Sequence, residues 1–330
     1  MNGISVIVCC CNSALRLPLT LQHLSKQKID EDLSWEVIVV DNNSNDGTAE
    51  IALKHWLSLS CDKNLKVIYE NKVGLSFARE AGVKAAFYDI IIFCDDDNLL
   101  AENYLLHGYN LIQRTKDLGY GIWGGKSTAY FDVDVTVPEW FEIKKANYVV
   151  GQQADRAGDI TKRGYVWGAG MIILKKLFLQ VSNEQLPLLL MDRKGSILLS
   201  GGDSEICLRS QILGYKLYYD DHLKFKHYIP FSRLTLQYNT GLEKGFAQAH
   251  MILNKYSIFI YYVSARNFPS RTYYSFVFIV KFILAKLGLR ILTNLDTTSM
   301  SALFSNKYFH DVDFDSMRYL LKQRKLVKLS

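Results

Sequence analysis

An uninterrupted apolar run ends in three adjacent carboxylates in the segment Asp89-Ile90-Ile91-Ile92-Phe93-Cys94-Asp95-Asp96-Asp97. A short continuous run of β-branched and aromatic residues is typical of a strand that is buried on both faces. Similar runs precede it at Ile4–Cys9, Trp35–Val40 and Leu65–Tyr69. The pattern therefore predicts four buried strands in the first hundred residues.

Segments with the apolar spacing of helices follow these strands at Leu15–Gln27, Thr48–Leu59, Leu75–Ala86 and Asn98–Leu118. Strand and helix thus alternate four times, which predicts an α/β fold with a mostly parallel sheet flanked by helices. Ligands of such sheets bind at the carboxyl ends of the strands. Asp41 and the carboxylates at 95–97 fall at that edge.

Composition and length limit the organisation of the chain. Of its 330 residues, 49% are hydrophobic and only 5 are proline, which excludes disordered and collagen-like proteins. The pattern is mixed from residue 119 to about 235 and mainly helical beyond. The mixed part predicts strands at Ile172–Leu174 and Leu217–Tyr219 and a helix at Ser204–Leu213. We expect a body over 1–235, with halves at 1–118 and 119–235, and a helical C-terminal extension over 236–330.

The extension is basic. Residues 241–330 hold 13 Lys and Arg against 5 Asp and Glu, a net charge of +8, whereas the whole chain carries +6. A basic terminal region favours a polyanionic partner such as a membrane leaflet, although a solvated basic helix has the same composition. Nucleic acid is not expected, because residues 315–330 lack interleaved aromatic and basic residues.

An apolar stretch in the extension, Tyr273–Leu292, has nearly the length of a membrane span. Lys281, Lys286 and Arg290 interrupt it, and each would cost about 2.5–3.5 kcal/mol near a bilayer centre. A helix lying in the interface is favoured over a span, and a buried helix that covers the body is the alternative. We predict peripheral contact with an anionic membrane through residues 271–330 and a cytoplasmic location.

The six cysteines, at positions 9, 10, 11, 61, 94 and 207, form no CxxC pair. This argues against a disulfide framework and a structural zinc site. We expect small buried thiols in a reducing compartment. Met1–Ser5 has no basic region and no long apolar run, so no signal peptide is predicted.

One dinucleotide-binding pattern is present but misplaced. Gly119-Tyr120-Gly121-Ile122-Trp123-Gly124 matches G-x-G-x-x-G, yet it follows a helix and leads into strand-like residues. A fingerprint of this kind must follow a strand and open a helix. NAD binding is therefore not expected.

Asp95, Asp96 and Asp97 form the strongest chemical signal. Adjacent carboxylates raise one another's pKa, and a divalent cation relieves the repulsion. Oxygen ligands suit Mg²⁺ or Mn²⁺, often together with substrate phosphates. An exposed acidic turn is the alternative, but the preceding strand places the carboxylates at the functional edge. A lone histidine such as His227 usually has a structural role, although an imidazole there could bind a cation.

Three further positions allow two interpretations each. Asp41 can bind a base or ribose or can be a cap or turn residue, and the cluster Asn42–Asp46 that follows it is typical of a turn. Arg79 can clamp a phosphate, although an isolated helical arginine is more often a surface charge. Asp203 can act as a general base, although an Asp at this position is by default a helix cap.

Together these segments resemble the family 2 glycosyltransferases, which have the GT-A nucleotide-sugar fold. The resemblance covers about residues 4–235. It rests on motifs in a fixed order: Ser5–Asn12, Val39–Thr48, Gly74–Arg79, Phe93–Asn98, Trp167–Met171, Gly201–Arg209 and Lys226–Pro230. Several motifs in order are far more specific than any one of them.

The resemblance implies an inverting hexosyltransferase that moves a sugar from a nucleotide-sugar donor, with UDP expected, to a hydroxyl of a glycan or lipid-linked glycan. Asp203 would be the general base. Asp97 would be the main ligand of Mn²⁺ or Mg²⁺, with Asp95 and His227 completing the shell. In the donor site, Asp41 would bind the base, Asp96 the ribose and Arg79 the nucleotide or diphosphate. Asn12 and Asn43 would also bind the donor.

Three positions depart from the family pattern. Cys11 replaces the usual aromatic residue, Gly202 stands where many relatives have Glu, and Glu80 stands where Asn is frequent. A nucleotidyltransferase would need a glycine-rich basic loop at Cys9–Ser13, which has neither Gly nor Lys. A non-catalytic glycan-binding relative would lack the metal and base residues, all of which are present.

Overall fold

The computed structural model describes residues 3–61, 63–190, 192, 200–264 and 312–327. Within them, nine strands form one sheet in the order β3-β2-β1-β4-β8-β6-β9-β5, with β7 paired to β9. The strands are β1 Ile4–Cys10, β2 Trp35–Asp41, β3 Asn64–Tyr69, β4 Ile90–Asp95, β5 Asn98–Leu100, β6 Tyr120–Tyr130, β7 Gly158–Asp159, β8 Ile172–Leu174 and β9 Lys216–Tyr228.

Helices cover both faces of the sheet. They are α1 Leu17–Ser25, α2 Thr48–Ser58, α3 Leu75–Ala85, α4 Tyr104–Thr115, α5 Trp140–Lys144, α6 Lys175–Val181, α7 Gly202–Leu213, α8 Leu236–Ser264 and α9 Val312–Val327. Side chains alternate along the strands. In β1, Ile7 packs into the core beneath α3, α6 and α7, whereas Val6 and Val8 pack into the core beneath α1, α2 and α4.

Strands β3, β2, β1 and β4 are parallel, as the alternating pattern predicts. The register pairs Cys10 with Asp41 and Cys9 with Asp95. The carboxyl ends of β2 and β4 therefore lie on either side of the end of β1. This register brings carboxylates that are 54 positions apart in the sequence to one edge of the sheet.

The prediction of a helix beginning at Asn98 is wrong. Asn98–Leu100 forms β5, which pairs antiparallel with β9 and sets Asn98 opposite His227. Leu99 and Leu100 are buried, and the helix begins only at Tyr104. The pairing partner lies more than a hundred residues away, so the local apolar spacing gives no sign of it.

The pattern Gly119–Gly124 runs into strand β6 rather than into a helix, as its surroundings predict. The helix predicted at Ser204–Leu213 is present as α7, and Gly214 follows it with φ 101°. In α9, Met317 and Leu320 are buried in the same core as α7. The segment Tyr273–Leu292 lies outside the described residues. Among the helices that the structure describes, none is long and apolar enough to cross a bilayer.

Candidate active site

A cleft with a volume of about 860 Å³ opens at the carboxyl edge of the sheet. It is lined by six of the nine side chains to which the sequence assigns a role: Arg79, Asp95, Asp96, Asp97, Asp203 and His227. They come from α3, from the end of β4, from α7 and from β9. The fold thus brings residues that are distant in sequence to one surface.

Each of the three adjacent carboxylates faces an arginine from another part of the chain. The pairs are Arg79 Nη2 with Asp95 Oδ1 at 3.9 Å, Arg16 Nη2 with Asp96 Oδ2 at 2.8 Å, and Arg233 Nη1 with Asp97 Oδ2 at 2.8 Å. These cations offset the mutual repulsion of the carboxylates. Sequence reasoning missed Arg16 and Arg233, because neither belongs to a recognisable pattern.

Asp95 and Asp96 differ in how many contacts they make within the protein and in how exposed they are. Burial raises the pKa of both carboxyls, while the facing arginines oppose the rise. Asp96 also accepts a hydrogen bond from Ser13 Oγ, so it is fixed to the turn before α1. The side chain of Asp95 is 32% exposed and remains available at the cleft.

Asp97 and His227 form a second fixed pair. The imidazole donates from Nδ1 to the carbonyl of Tyr148 at 2.6 Å, since a carbonyl can only accept. This leaves Nε2 facing Asp97 Oδ1 at 3.4 Å. Burial would raise the pKa of Asp97, but His227 and Arg233 outweigh it and hold that pKa well below its usual range. Asp97 is therefore a carboxylate at any ordinary pH.

A divalent cation would find an incomplete ligand set in the cleft. Asp97 and His227 are adjacent, but together with Asp95 they do not present three ligand atoms within 4.8 Å of one another. Mg²⁺ and Mn²⁺ are commonly held by one or two carboxylates plus substrate phosphates. The residues present therefore fit a cation that arrives with a phosphorylated ligand, rather than a preformed cage.

Asp203 lies at the start of α7, where its carboxylate meets two backbone donors. Gly168 N–H donates to Oδ2 at 2.8 Å and Ser204 N–H donates to Oδ1 at 2.7 Å. The side chain is only partly buried and lines the cleft. These contacts fix the orientation of the carboxylate, while its remaining lone pairs can accept a proton from a bound hydroxyl.

Asp192 is a buried carboxylate of the cleft that sequence reasoning missed. Its Oδ2 lies 3.3 Å from Arg79 Nη1, and its Oδ1 accepts the Gly202 N–H at 2.6 Å. Burial raises its pKa to about 7, with Arg79 opposing the rise and Asp203 adding to it. Asp192 thus joins Arg79 to the start of the helix that carries Asp203.

A buried ionic network holds α7 in place. Arg209 Nη2 lies 2.7 Å from Glu205 Oε1, and both side chains are fully buried. Tyr256 OH donates to Glu205 at 2.7 Å and accepts from Arg209 Nε at 3.0 Å. Arg209 also donates to the carbonyls of Val181 and Leu186. The network ties α7 to α8 and to the chain that leads towards Asp192.

The predicted donor-binding residues that follow β1 and end β2 do not line the cleft. Asp41 is buried and accepts the Ser44 N–H at 2.9 Å, while Asn12 and Asn43 are exposed with positive φ. Asn42 lines the cleft instead and accepts the Gly74 N–H at 2.8 Å. This bond fixes the loop that leads into α3 and therefore positions Arg79.

Helix α8 forms one wall of the cleft. The side chains that it contributes recur at helical spacing and include Tyr238, Leu242, Phe246, Ala249 and Leu253. The opposite wall carries the carboxylates. The first helix of the predicted extension therefore packs directly over the candidate site.

All six cysteines are described and free. Cys10, Cys94 and Cys207 are buried, as expected for small apolar thiols. Cys11 is exposed at the cleft, which corrects that expectation, and Cys9 and Cys61 are half-buried. Burial raises the pKa of Cys9 to about 12, with Arg79 opposing the rise, so this thiol is not a nucleophile at neutral pH.

Comparison with known proteins agrees with this architecture. The sequence model described as "Glycosyl transferase family 2" matches residues 5–178. A cholesterol galactosyltransferase of Borreliella burgdorferi is 31% identical over 107 residues, which are 32% of this chain and 28% of that protein. A 4,4'-diaponeurosporenoate glycosyltransferase of Staphylococcus haemolyticus is 37% identical over 109 residues, which are 32% of this chain and 27% of that protein.

Among solved structures, residues 1–349 of S. aureus TarS in complex with UDP-GlcNAc share the fold. The TM-score is 0.53 at 15% identity, and the match covers 98% of this chain and 80% of that chain. The chain belongs to glycosyl transferase family 2, and its fold is the α/β GT-A type. It spans less than a third of the length of the two curated relatives.

Proposed function

We propose that this protein transfers a sugar from a UDP-linked donor to a hydroxyl of a glycan or lipid-linked glycan, with inversion at the anomeric carbon. One observation carries the proposal: Arg79, Asp97, Asp203 and His227 line a single cleft at the carboxyl edge of the sheet. The complexes of TarS with UDP and UDP-GlcNAc support a nucleotide-sugar donor.

The donor would bind along the carboxyl ends of β1, β2 and β4. Asn12, Asp41 and Asn43 do not line the cleft, but they adjoin Cys11 and Asn42, which do; Asp41 would accept a hydrogen bond from a base bound beside them, and Asp96 would contact the ribose. Arg79 is buried and oriented by Asp192, so its guanidinium is preorganised for the diphosphate. Preorganised donors stabilise charge that develops during a reaction without further rearrangement.

The negative charge of the departing diphosphate must be compensated. Asp95 and Asp97, with His227, would hold a Mn²⁺ or Mg²⁺ ion there, and such an ion supplies neutralisation of the leaving group. Arg233 fixes Asp97 from the opposite side. The chain's own contribution is therefore to keep Asp97 ionised and oriented.

The acceptor hydroxyl would approach Asp203. The oxygen of the acceptor hydroxyl attacks the anomeric carbon in line with the bond to the diphosphate, and that bond breaks. The hydroxyl proton passes to the Asp203 carboxylate. The Gly168 and Ser204 N–H groups hold the carboxylate during this step. The apolar wall of α8 suits the face of a sugar ring or the lipid portion of an acceptor.

A donor panel with the full chain tests this proposal. Each nucleotide sugar is incubated with Mn²⁺ or with a chelator, and release of nucleoside diphosphate is measured. We expect turnover with a UDP-sugar, and Asp203→Asn should lower the rate by about 10²–10⁴-fold while donor affinity changes little. The amide still accepts a hydrogen bond but cannot take up a proton.

The matched control is Asp155→Asn, which removes a carboxylate at an exposed position and should leave turnover unchanged. Normal turnover by Asp203→Asn would refute the assignment of the base. Turnover that is insensitive to the chelator would refute the metal-assisted mechanism.

Two broader predictions remain part of the proposal. The boundary at residue 235 would separate the catalytic body from its extension, and residues 271–330 would contact the cytoplasmic face of an anionic membrane. Within this region, Met317 and Leu320 of α9 are buried against the body, so these two side chains would not insert into lipid. Flotation with anionic liposomes tests the contact, and protein that remains unbound would exclude it.

A further inference from the structure

A second cluster of ligand-type side chains lies between α4 and β9. It consists of His107, Asp220 and His222, which offer one ligand atom each within 4.8 Å of one another. It is the one such group among the described residues. None of the three lines the cleft. Asp220 and His222 lie seven and five residues before His227 along β9.

The strand is irregular where these residues lie. Tyr219 of β9 pairs with Gly124 of β6, and Lys224 pairs with Lys126, so the single residue Gly125 faces four residues of β9. A side chain at Gly125 would begin 2.0 Å from the carbonyl oxygen of Leu223. Only glycine therefore permits this bulge. Bulges re-aim side chains and are frequent beside functional sites.

Asp220 joins the two imidazoles. Its side chain is only 8% exposed, with Oδ2 at 3.4 Å from His107 Nε2 and Oδ1 at 3.1 Å from His222 Nδ1. His107 Nε2 is buried and makes no hydrogen bond to any residue that the structure describes. The Asp220 carboxylate is thus the group that this nitrogen faces without forming a hydrogen bond, and a bound ion would give the nitrogen a direct ligand bond.

The spacing suits a tetrahedral ion. With metal–ligand bonds of about 2.0–2.1 Å, ligand atoms of a tetrahedral Zn²⁺ site lie about 3.3 Å apart. The two nitrogen–oxygen distances involve different oxygens of Asp220, so an ion that takes one of these oxygens has one imidazole nitrogen already close to that spacing, at 3.4 Å for His107 or 3.1 Å for His222. The other nitrogen lies within 4.8 Å of these atoms. The rings of His107 and His222 stack with their centroids 5.4 Å apart, so His222, whose side chain is 70% exposed, would turn to bring its nitrogen to the ion.

We infer that His107, Asp220 and His222 form a binding site for a divalent transition-metal ion of the Zn²⁺ class, separate from the cleft. Two imidazole nitrogens favour Zn²⁺ over the Mg²⁺ or Mn²⁺ that carboxylates prefer. A bound ion would link α4 to the bulge of β9, the strand that also carries His227.

Metal titration of the full chain tests the inference. Protein freed of metal is titrated with ZnCl₂ in competition with a chromogenic chelator. We expect the wild type to bind one equivalent of Zn²⁺ at this site. His222→Ala should lower the affinity for that equivalent at least tenfold, and His107→Ala and Asp220→Asn should do the same. The control His55→Gln changes a histidine of α2 outside the cluster and should bind like the wild type.

The cleft is a competing site for the ion, so Asp97→Ala is titrated in parallel. This variant should bind the same equivalent of Zn²⁺ with the affinity of the wild type. Zn²⁺ should also raise the melting temperature of the wild type but not of His222→Ala. Unchanged Zn²⁺ affinity in all three cluster variants would overturn the inference. Loss of the same equivalent in Asp97→Ala would also overturn it, because the ion would then belong to the cleft.

Discussion

Replacing Asp192 by Asn should change the pH dependence of stability. The Asp192 carboxyl is buried between Arg79 and the Gly202 N–H, and burial raises its pKa to about 7. A carboxyl whose pKa is higher in the folded than in the unfolded state binds its proton more tightly when folded. Its contribution to stability is therefore complete below the ordinary value of 3.8 and is lost as the pH rises to about 7.

The size of the effect follows from the same interval. Each pH unit between the two pKa values changes the free energy of unfolding by about 1.36 kcal/mol. Between pH 5 and pH 8 the wild type should thus lose roughly 3 kcal/mol through this group alone. Asn does not titrate, so Asp192→Asn should lack this loss, and other titrating groups cancel in the difference between the two proteins.

Urea denaturation of both proteins at pH 5 and pH 8 measures the difference. Asp155→Asn, at an exposed position, is the control and should follow the wild type at both pH values. A change of less than about 1 kcal/mol in the difference between wild type and Asp192→Asn, or a change of opposite sign, would refute the reasoning. It would mean that Arg79 holds Asp192 ionised at pH 5 despite its burial.

Two further predictions concern the helices that support the cleft. Tyr256→Phe removes the hydroxyl that joins Glu205 to Arg209 and should lower the free energy of unfolding by about 1–3 kcal/mol, whereas Tyr319→Phe, at an exposed position, should have no effect. Leu320→Ala should cost about 2–5 kcal/mol because this side chain is fully buried. A cost as small as that of Leu57→Ala, at an exposed position, would show that α9 does not pack on the body. Urea denaturation measures all four variants.

The parallel half of the sheet could be predicted from sequence because its signals are local. Each of its strands is a continuous apolar run and each crossover has helical spacing, so strands β1 to β4 lie close to their predicted bounds. Strand β5 could not be predicted in this way. Its three residues are defined by pairing with β9, and a helix prediction from neighbouring residues has no access to that partner.

The residues of the candidate site also differ in whether a local sequence signal predicts them. Carboxylates that follow a buried strand, such as Asp97, can be predicted from the sequence because the strand predicts the sheet edge on which they lie. Arg16, Arg233 and Asp192 cannot be predicted in this way, because each belongs to the site only through the side chain that it faces. Asp192 could be predicted to be buried only together with Arg79, because a single buried charge costs more than a buried pair of opposite charges.

The departure at Gly202 has a physical explanation in this pairing. A side chain at position 202 would begin 2.3 Å from Asp192 Oδ2 and 2.9 Å from the Leu190 carbonyl oxygen. The Asp192 carboxylate and a side chain on residue 202 therefore exclude each other. This chain therefore brings a carboxyl group to the start of α7 from the preceding segment rather than from position 202. The buried Arg79 has this carboxyl as its partner, and the partner is coupled to the position of residues 186–190 through Glu205 and Arg209.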